Sequence, residues 1–161
     1  MKSKSIMICL TLLTVLIAVL GTGCSKINSY QKSIYYDAAK ISANGDSYSF
    51  VSRNGDFINN NYAISFSGFS GKQTIWKLIA QEDTDLLIDC NIEINRGQFK
   101  ICLISDAKEV TTLAEGSTTK RKTIHLTEGT NYLALVGIDA NGEIDLLLAD
   151  INQVSVNLIE N

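Results

Sequence analysis

The sequence predicts an all-β fold, an antiparallel β-sandwich, over residues 47–161. Apolar and polar residues alternate with a period of two in segments such as YAISFSG, which is typical of an antiparallel strand with one face in solvent. Glycine-containing turn signals recur along the same region, from Asn54-Gly55 to Asn141-Gly142. No segment after Tyr62 shows a convincing helical face. Many short strands separated by turns indicate a sandwich or a barrel.

A first hairpin is predicted around a two-residue loop at Arg96-Gly97. In this register the apolar side chains of both strands share one face, beginning with Ile94 opposite Phe99. Cys90 then points inward and Cys102 outward, so the two thiols cannot reach disulfide geometry. We therefore expect two free cysteines.

A second hairpin is predicted with its turn at 139–142, where Gly142 would supply the positive φ. The strand before this turn is apolar on both sides, with Leu133 and Leu135 on one and Ala134 and Val136 on the other. Such a pattern indicates a central strand that is covered on each face.

The first 23 residues have the pattern of a signal peptide. Lys2 and Lys4 precede an uncharged apolar run, and small residues follow it up to Gly23. The uncharged span is also long enough to cross a membrane, so an uncleaved membrane anchor is the alternative, with ordinary secretion as a third.

Cys24 directly follows Gly21, Thr22 and Gly23, and this segment resembles the lipobox of bacterial lipoproteins. The resemblance implies cleavage before Cys24 and a diacylglycerol on its thiol, with palmitate-type acyl chains as the anchor. It implies a protein held at the extracytoplasmic side of the cell membrane. Two acyl chains suffice for stable anchoring.

Residues 24–46 are predicted to be a tether or a short helical segment near 30–40, since Ile34, Ala38 and Ile41 have helical spacing. Tyr30, Tyr35 and Tyr36 form an aromatic cluster that either packs under the sandwich or lines a partner groove.

Three segments, GKQTIWKLIAQEDTDLLID, RGQFKICLIS and TIHLTEGTNYLALVGIDANGEIDL, together resemble the small jelly-roll sandwiches of the galactose-binding-like class. The shared feature is a run of strands closed by a Gly-x-x-Tyr-x-Leu-x-Leu-Val-Gly stretch, which is approximated here by Gly129, Tyr132, Leu133, Leu135, Val136 and Gly137. Many members of this class bind sugars, some hold a structural calcium ion, and others have no known ligand. The resemblance therefore implies a jelly roll without assigning ligand residues.

Candidate site residues are few. Trp76, the sole tryptophan, either stacks on a sugar or packs in the core. Glu82, Asp83 and Asp85 share one loop and either hold calcium or are simply solvated. His125, the only histidine, alternates with apolar neighbours and is expected on the surface, without a nucleophile beside it.

These features favour a non-catalytic protein over an enzyme. The formal net charge of −3 argues against a nucleic-acid partner. Two function classes remain open: a membrane-anchored binding module for a glycan or peptide of the envelope, and a structural or regulatory surface protein that recognises an envelope protein without a small ligand. No cofactor is expected beyond the lipid on Cys24, with a structural calcium ion as the alternative.

Overall fold

The computed structural model describes residues 27–58 and 60–159. The predicted signal peptide and Cys24 lie outside the described residues. By its internal contacts the chain divides into two units, Met1–Tyr30 and Gln31–Asn161. Within the described ranges, no helix combines the length and the apolar character that a membrane crossing requires.

Eight antiparallel strands dominate the second unit, with short helices before them. The elements in chain order are α1 (residues 27–34), α2 (Ala38–Ile41), β1 (Ser47–Ser49), β2 (Ser52–Ile58), β3 (Asn61–Ala80), β4 (Thr84–Ile104), β5 (Val110–Glu115), β6 (Thr118–Leu126), β7 (Gly129–Ala149), the 3-10 turn η1 (Ile151–Gln153) and β8 (Val154–Leu158). The all-β fold class predicted from the sequence is confirmed, together with the short helix near residues 30–40.

Three long strands, β3, β7 and β4, lie side by side in that order and fold over on themselves. The rings of Tyr62 and Trp76, fourteen residues apart on β3, have centroids only 6.2 Å apart. A straight strand would separate these residues by about 45 Å. The sheet therefore bends back to make two facing layers, which is the sandwich.

The bend divides the flanking strands between the two layers. Layer 1 carries β2 beside the first half of β3 and β6 beside the first half of β4. Layer 2 carries β1 and β8 beside the second half of β3, and β5 beside the second half of β4. β7 lies between β3 and β4 in both layers.

The main core fills the space between the layers and contains apolar side chains from both. Phe66 and Phe99 meet there with ring centroids 5.4 Å apart, and Trp76 is fully buried beside Tyr62. Each large side chain buried in this way contributes about 1.5–3 kcal/mol to stability.

Both predicted hairpins are wrong. β4 runs through Arg96-Gly97 as one strand, with register shifts on each side of Arg96 where it pairs with Asn141 of β7. A bulge of this kind preserves the inward and outward alternation that the hairpin assumed. The residues predicted to face inward, including Cys90 and Phe99, therefore do lie in the main core, although the hairpin from which they were predicted is absent.

Gly142 is needed for a different reason from the predicted one. It is absent from the residues with positive φ, and it lies inside β7 opposite Ile94. A Cβ at this position would overlap the backbone carbonyl of Glu93 and approach Ile94 Cδ1 to 2.9 Å. Glycine here lets the central strands β7 and β4 come close at the bend.

Within the second unit, the end of α1 and α2 cover the outer face of layer 2 and build a second core. Ile34, Tyr35 and Ile41 are buried there against Ala134 and Val136 of β7. Burial and a 2.8 Å hydrogen bond donated by its hydroxyl to Glu115 raise the pKa of Tyr35. The prediction that β7 is covered on both faces is confirmed here, and Tyr35 packs under the helices while Tyr36 is exposed.

Both described cysteines are free, as expected, and both are buried. Cys90 faces the main core and Cys102 faces the second core, so the strand separates them. Cys102 points outward from the sandwich, as predicted, but the helices cover it instead of solvent. Burial raises the pKa of both thiols, which keeps them protonated at neutral pH.

Candidate functional site

A cavity of about 560 Å³ lies on the outer face of layer 2, and we call it the α2–β1 cavity. It lies beside the loop that connects α2 to β1. Its lining residues come from that loop, from β1, β3 and β7, from the end of β4 with its following turn, and from the C-terminus: Ser42, Ala43, Asn44, Gly45, Asp46, Tyr48, Lys72, Thr74, Ile104, Lys108, Tyr132 and Ile159.

The loop is shaped by its local sequence. The Asp37 carboxylate accepts hydrogen bonds from the backbone amides of Ala39 and Lys40 and so caps α2. The helix ends at Ile41, and Gly45 then adopts a φ of 78°, which L-residues rarely tolerate. The chain turns sharply there and delivers Asp46 to the edge of β3.

Asp46 fills a gap in the pairing along that edge. β1 pairs with β3 as far as Lys72, and β8 pairs from Trp76 onward. Between them, Thr74 donates its backbone N–H to Asp46 Oδ2 at 2.7 Å and its hydroxyl to Oδ1 at 2.8 Å. The carboxylate thus accepts the hydrogen bond of the Thr74 backbone N–H, which a neighbouring strand would otherwise accept.

Lys72 forms part of the cavity wall although it is only 4% exposed. Residues 72 and 74 point to the same side of β3 because side chains alternate along a strand. The Lys72 ammonium donates to the carbonyl of Ala43 at 2.8 Å and lies 3.4 Å from Asp46 Oδ1. A buried charge of this kind is tolerated only when it is paired and hydrogen-bonded.

The rim is aromatic and cationic. Tyr48 and Tyr132 are half-buried, and the Lys108 ammonium lies 5.8 Å from the centre of the Tyr132 ring. The same ammonium donates to Asn44 Oδ1 at 3.0 Å. The cavity therefore combines hydrogen-bonding groups with two aromatic faces, as sites for small polar ligands do.

A second, shallower surface lies on the outer face of layer 1. It has cavities of about 360 and 450 Å³ that share Asn91 and Asp145. Arg121 binds the Asp89 carboxylate through two hydrogen bonds of 2.6 and 2.7 Å, which hold the pKa of Asp89 below its usual range. Glu93 and Glu143 face each other directly across β4 and β7 on this surface.

Trp76, the sequence's candidate for stacking on a sugar, is not at this site. Its ring is 0% exposed in the main core, so no ligand reaches its faces. The alternative interpretation of Trp76 as a core residue is the one that the structure supports.

The three acidic candidates are not assembled into a ligand set. Asp83 accepts a hydrogen bond from the backbone N–H of Glu128, and Asp85 lies 2.9 Å from His125 Nδ1, with both side chains exposed. Glu82 is exposed in the same loop. Across residues 27–58 and 60–159, no group of three or more His, Cys, Asp or Glu side chains is placed to hold a metal ion.

The residues of the α2–β1 cavity were not singled out from the sequence. Lys72 is the available signal, because it is a charged residue inside a strand that is otherwise mostly buried. Neither its burial nor its pairing with Asp46 is evident without the position of the preceding loop.

The fold defines the chain as a two-layer antiparallel β-sandwich with helices on one face. No family model matches the chain, and no curated protein matches it. Among solved structures, a family 35 carbohydrate binding module from an environmental isolate is similar at 13% sequence identity with a TM-score of 0.37, covering 72% of this chain and 91% of that one. A likeness this low says nothing about the ligand of this chain.

Proposed function

We propose that this protein is a lipid-anchored, extracytoplasmic binding module without a catalytic centre, and that it holds a small polar ligand such as a glycan unit in the α2–β1 cavity. The cavity itself is the observation that carries this proposal. Its volume of about 560 Å³ falls within the range of small-ligand sites, about 300–1,000 Å³. Its tyrosine rings suit the apolar faces of a sugar, and its amide, hydroxyl and ammonium groups suit the sugar hydroxyls.

The chemistry of the cavity favours binding over catalysis. Asp46 is the one carboxylate among its lining residues, and its oxygens already serve the Thr74 amide, the Thr74 hydroxyl and the Lys72 ammonium. A general base or nucleophile must instead reach its substrate directly. His125 lies on β6 and does not line this cavity.

Filling the cavity tests the binding site. Ala43 is exposed and lines the cavity, so Ala43→Trp places a large ring in the ligand space without removing a buried contact. We expect glycan binding, measured on a glycan array and then by calorimetry, to fall at least about tenfold. Ala39→Trp is the matched control, since Ala39 is an exposed residue of α2 outside the cavity lining and should leave binding unchanged. Equal binding by both variants would place the ligand elsewhere.

The anchor is tested through the thiols of the first 24 residues. Cys24→Ser removes the acceptor of the lipid, so we expect labelled palmitate to be lost from the protein and the protein to leave the membrane fraction or accumulate uncleaved. Cys9→Ser is the control, because Cys9 lies in the segment that cleavage removes. Unchanged labelling of the Cys24→Ser protein contradicts the anchor.

The burial of Trp76 favours one other function, recognition of an envelope protein without a small ligand. Because Trp76 is buried, the one tryptophan of the chain is not available on the surface to stack on a sugar. Tyr36, in contrast, is 72% exposed and can serve as a contact residue for a protein partner. A folded protein that binds no glycan on the array supports this second function.

A further inference from the structure

Lys108 is held in an unfavourable backbone conformation at the rim of the α2–β1 cavity. Its φ is 66°, in the left-handed region where a residue with a Cβ is uncommon. The turn between β4 and β5 imposes this angle, since Lys108 donates its N–H to the carbonyl of Ser105 at 2.9 Å and Ser105 donates to the carbonyl of Glu109 at 3.0 Å. Glycine or asparagine relieves the strain at such a position, yet the chain carries a lysine.

The Lys108 side chain is directed to the cavity and lacks a carboxylate partner among the residues that line it. Its ammonium is bound by the neutral amide oxygen of Asn44 and lies over the Tyr132 ring. An ammonium offers three donors, and the amide accepts one of them. Asp106 lies in the same turn as Lys108, and its carboxylate accepts a hydrogen bond from the backbone N–H of Thr130.

The lining of the cavity therefore has an excess of positive charge. Lys72 and Lys108 are its cations and Asp46 is its one carboxylate. Asp46 is turned toward Thr74 and Lys72, at 2.7–3.4 Å, and so neutralises the buried lysine. The charge of Lys108 at the rim is therefore available to pair with an anionic group of a ligand.

We propose that the ligand of the α2–β1 cavity carries an anionic group, a carboxylate or a phosphate, that binds to Lys108 while the uncharged part of the ligand occupies the cavity. This inference rests on the proposed function and names the ligand chemistry of the same site. Lys108 is then the residue that distinguishes charged from neutral ligands, because a charge-assisted hydrogen bond is roughly twice as strong as a neutral one.

Three matched sugars test the inference on the mature lipidated protein in detergent. N-acetylglucosamine is neutral, N-acetylmuramic acid adds a carboxylate, and N-acetylglucosamine 6-phosphate adds a phosphate. We expect calorimetry at low salt to give at least about tenfold tighter binding for one or both charged sugars, weakening as salt is added. The two charged arms show which anion the site prefers.

Two variants assign the effect to Lys108. Lys108→Met should reduce the affinity for the charged sugar to that for the neutral one, whereas Lys122→Met removes the same charge from β6, outside the cavity, and should change nothing. Lys108→Gly should also lose the preference while the melting temperature rises by about 3 °C, because glycine adopts the required φ without strain. If Lys108 only supports the fold, Lys108→Gly should instead lower the melting temperature and leave the preference for charged sugars unchanged.

The outcomes separate this inference from the proposed function. Equal binding of neutral and charged sugars, insensitive to Lys108→Met, overturns the anion inference and leaves the binding module standing. Inorganic phosphate that shifts the amide resonances of Asn44 and Lys108, with no sugar bound, supports an anion site and contradicts a glycan ligand. Failure of phosphate and of both charged sugars to bind overturns the anion inference, whereas the proposed function is overturned only when no glycan of the array binds.

Discussion

Trp76→Ala should lower the free energy of unfolding by about 3–5 kcal/mol, because it removes the largest fully buried side chain of the main core. The indole is 0% exposed and lies edge-on to Tyr62, and the surrounding strands belong to both layers. These strands are held by pairing on both sides, so they cannot collapse into the space that the indole leaves. Denaturant unfolding followed by far-ultraviolet circular dichroism measures the loss.

Tyr36→Ala is the control for this prediction. Tyr36 is also aromatic but is 72% exposed, so its removal should change the free energy of unfolding by less than about 1 kcal/mol. A Trp76→Ala protein with near-native stability and lost glycan binding would instead mean that Trp76 is a surface contact for sugar. Emission of the native tryptophan gives an independent measurement, since a buried indole emits at shorter wavelength than an exposed one.

Gly142→Ala should cost about 3 kcal/mol, although alanine is the smallest side chain that can be added. The new Cβ would overlap the carbonyl of Glu93 and lie 2.9 Å from Ile94 Cδ1. These atoms belong to β4, whose pairing with β7 runs through both layers, so neither strand can move away without disturbing the core. Thermal and denaturant unfolding measure the change.

Gly116→Ala is the matched comparison because it separates backbone strain from steric overlap. Gly116 has a φ of 64°, and a Cβ added to it would meet no atom within 4 Å. Its substitution should therefore cost only about 1–2 kcal/mol from the left-handed backbone. If the chain instead formed the hairpin predicted at 139–142, Gly142 would be a turn residue with positive φ, as Gly116 is, and the two substitutions would have similar costs. A similar cost for both would therefore contradict the continuous β7 strand.

The inward-facing residues of the long strands were predictable from the sequence, and the connections between strands were not. Alternation places Leu133 and Leu135 on one face and Ala134 and Val136 on the other, and the two cores confirm this. Alternation is unchanged whether the chain turns at Arg96-Gly97 or continues through a bulge. The two alternatives differ only in which strand pairs with each half of β4. That partner is β7, which is distant in sequence, so local patterns do not reveal it.

The α2–β1 cavity was less predictable, since it depends on contacts between distant segments. Asp46 follows a recognisable Asn44-Gly45 turn signal, but nothing local indicates that its carboxylate reaches Thr74. Lys72 looks like a solvent-exposed strand residue until the loop covers it. The left-handed backbone of Lys108 is likewise hidden, because its turn contains no glycine to mark the position.

The position of β7 between β3 and β4 has a consequence for biogenesis. Asn61 pairs with Leu147, and Leu87 pairs with Ala149, so the contact order of the sheet is high. Neither layer has its middle strand until nearly the whole polypeptide is available. A nascent chain that ends before Gly129 thus lacks the middle strand of both layers, and we expect the domain to acquire its structure only after β7 has been synthesised.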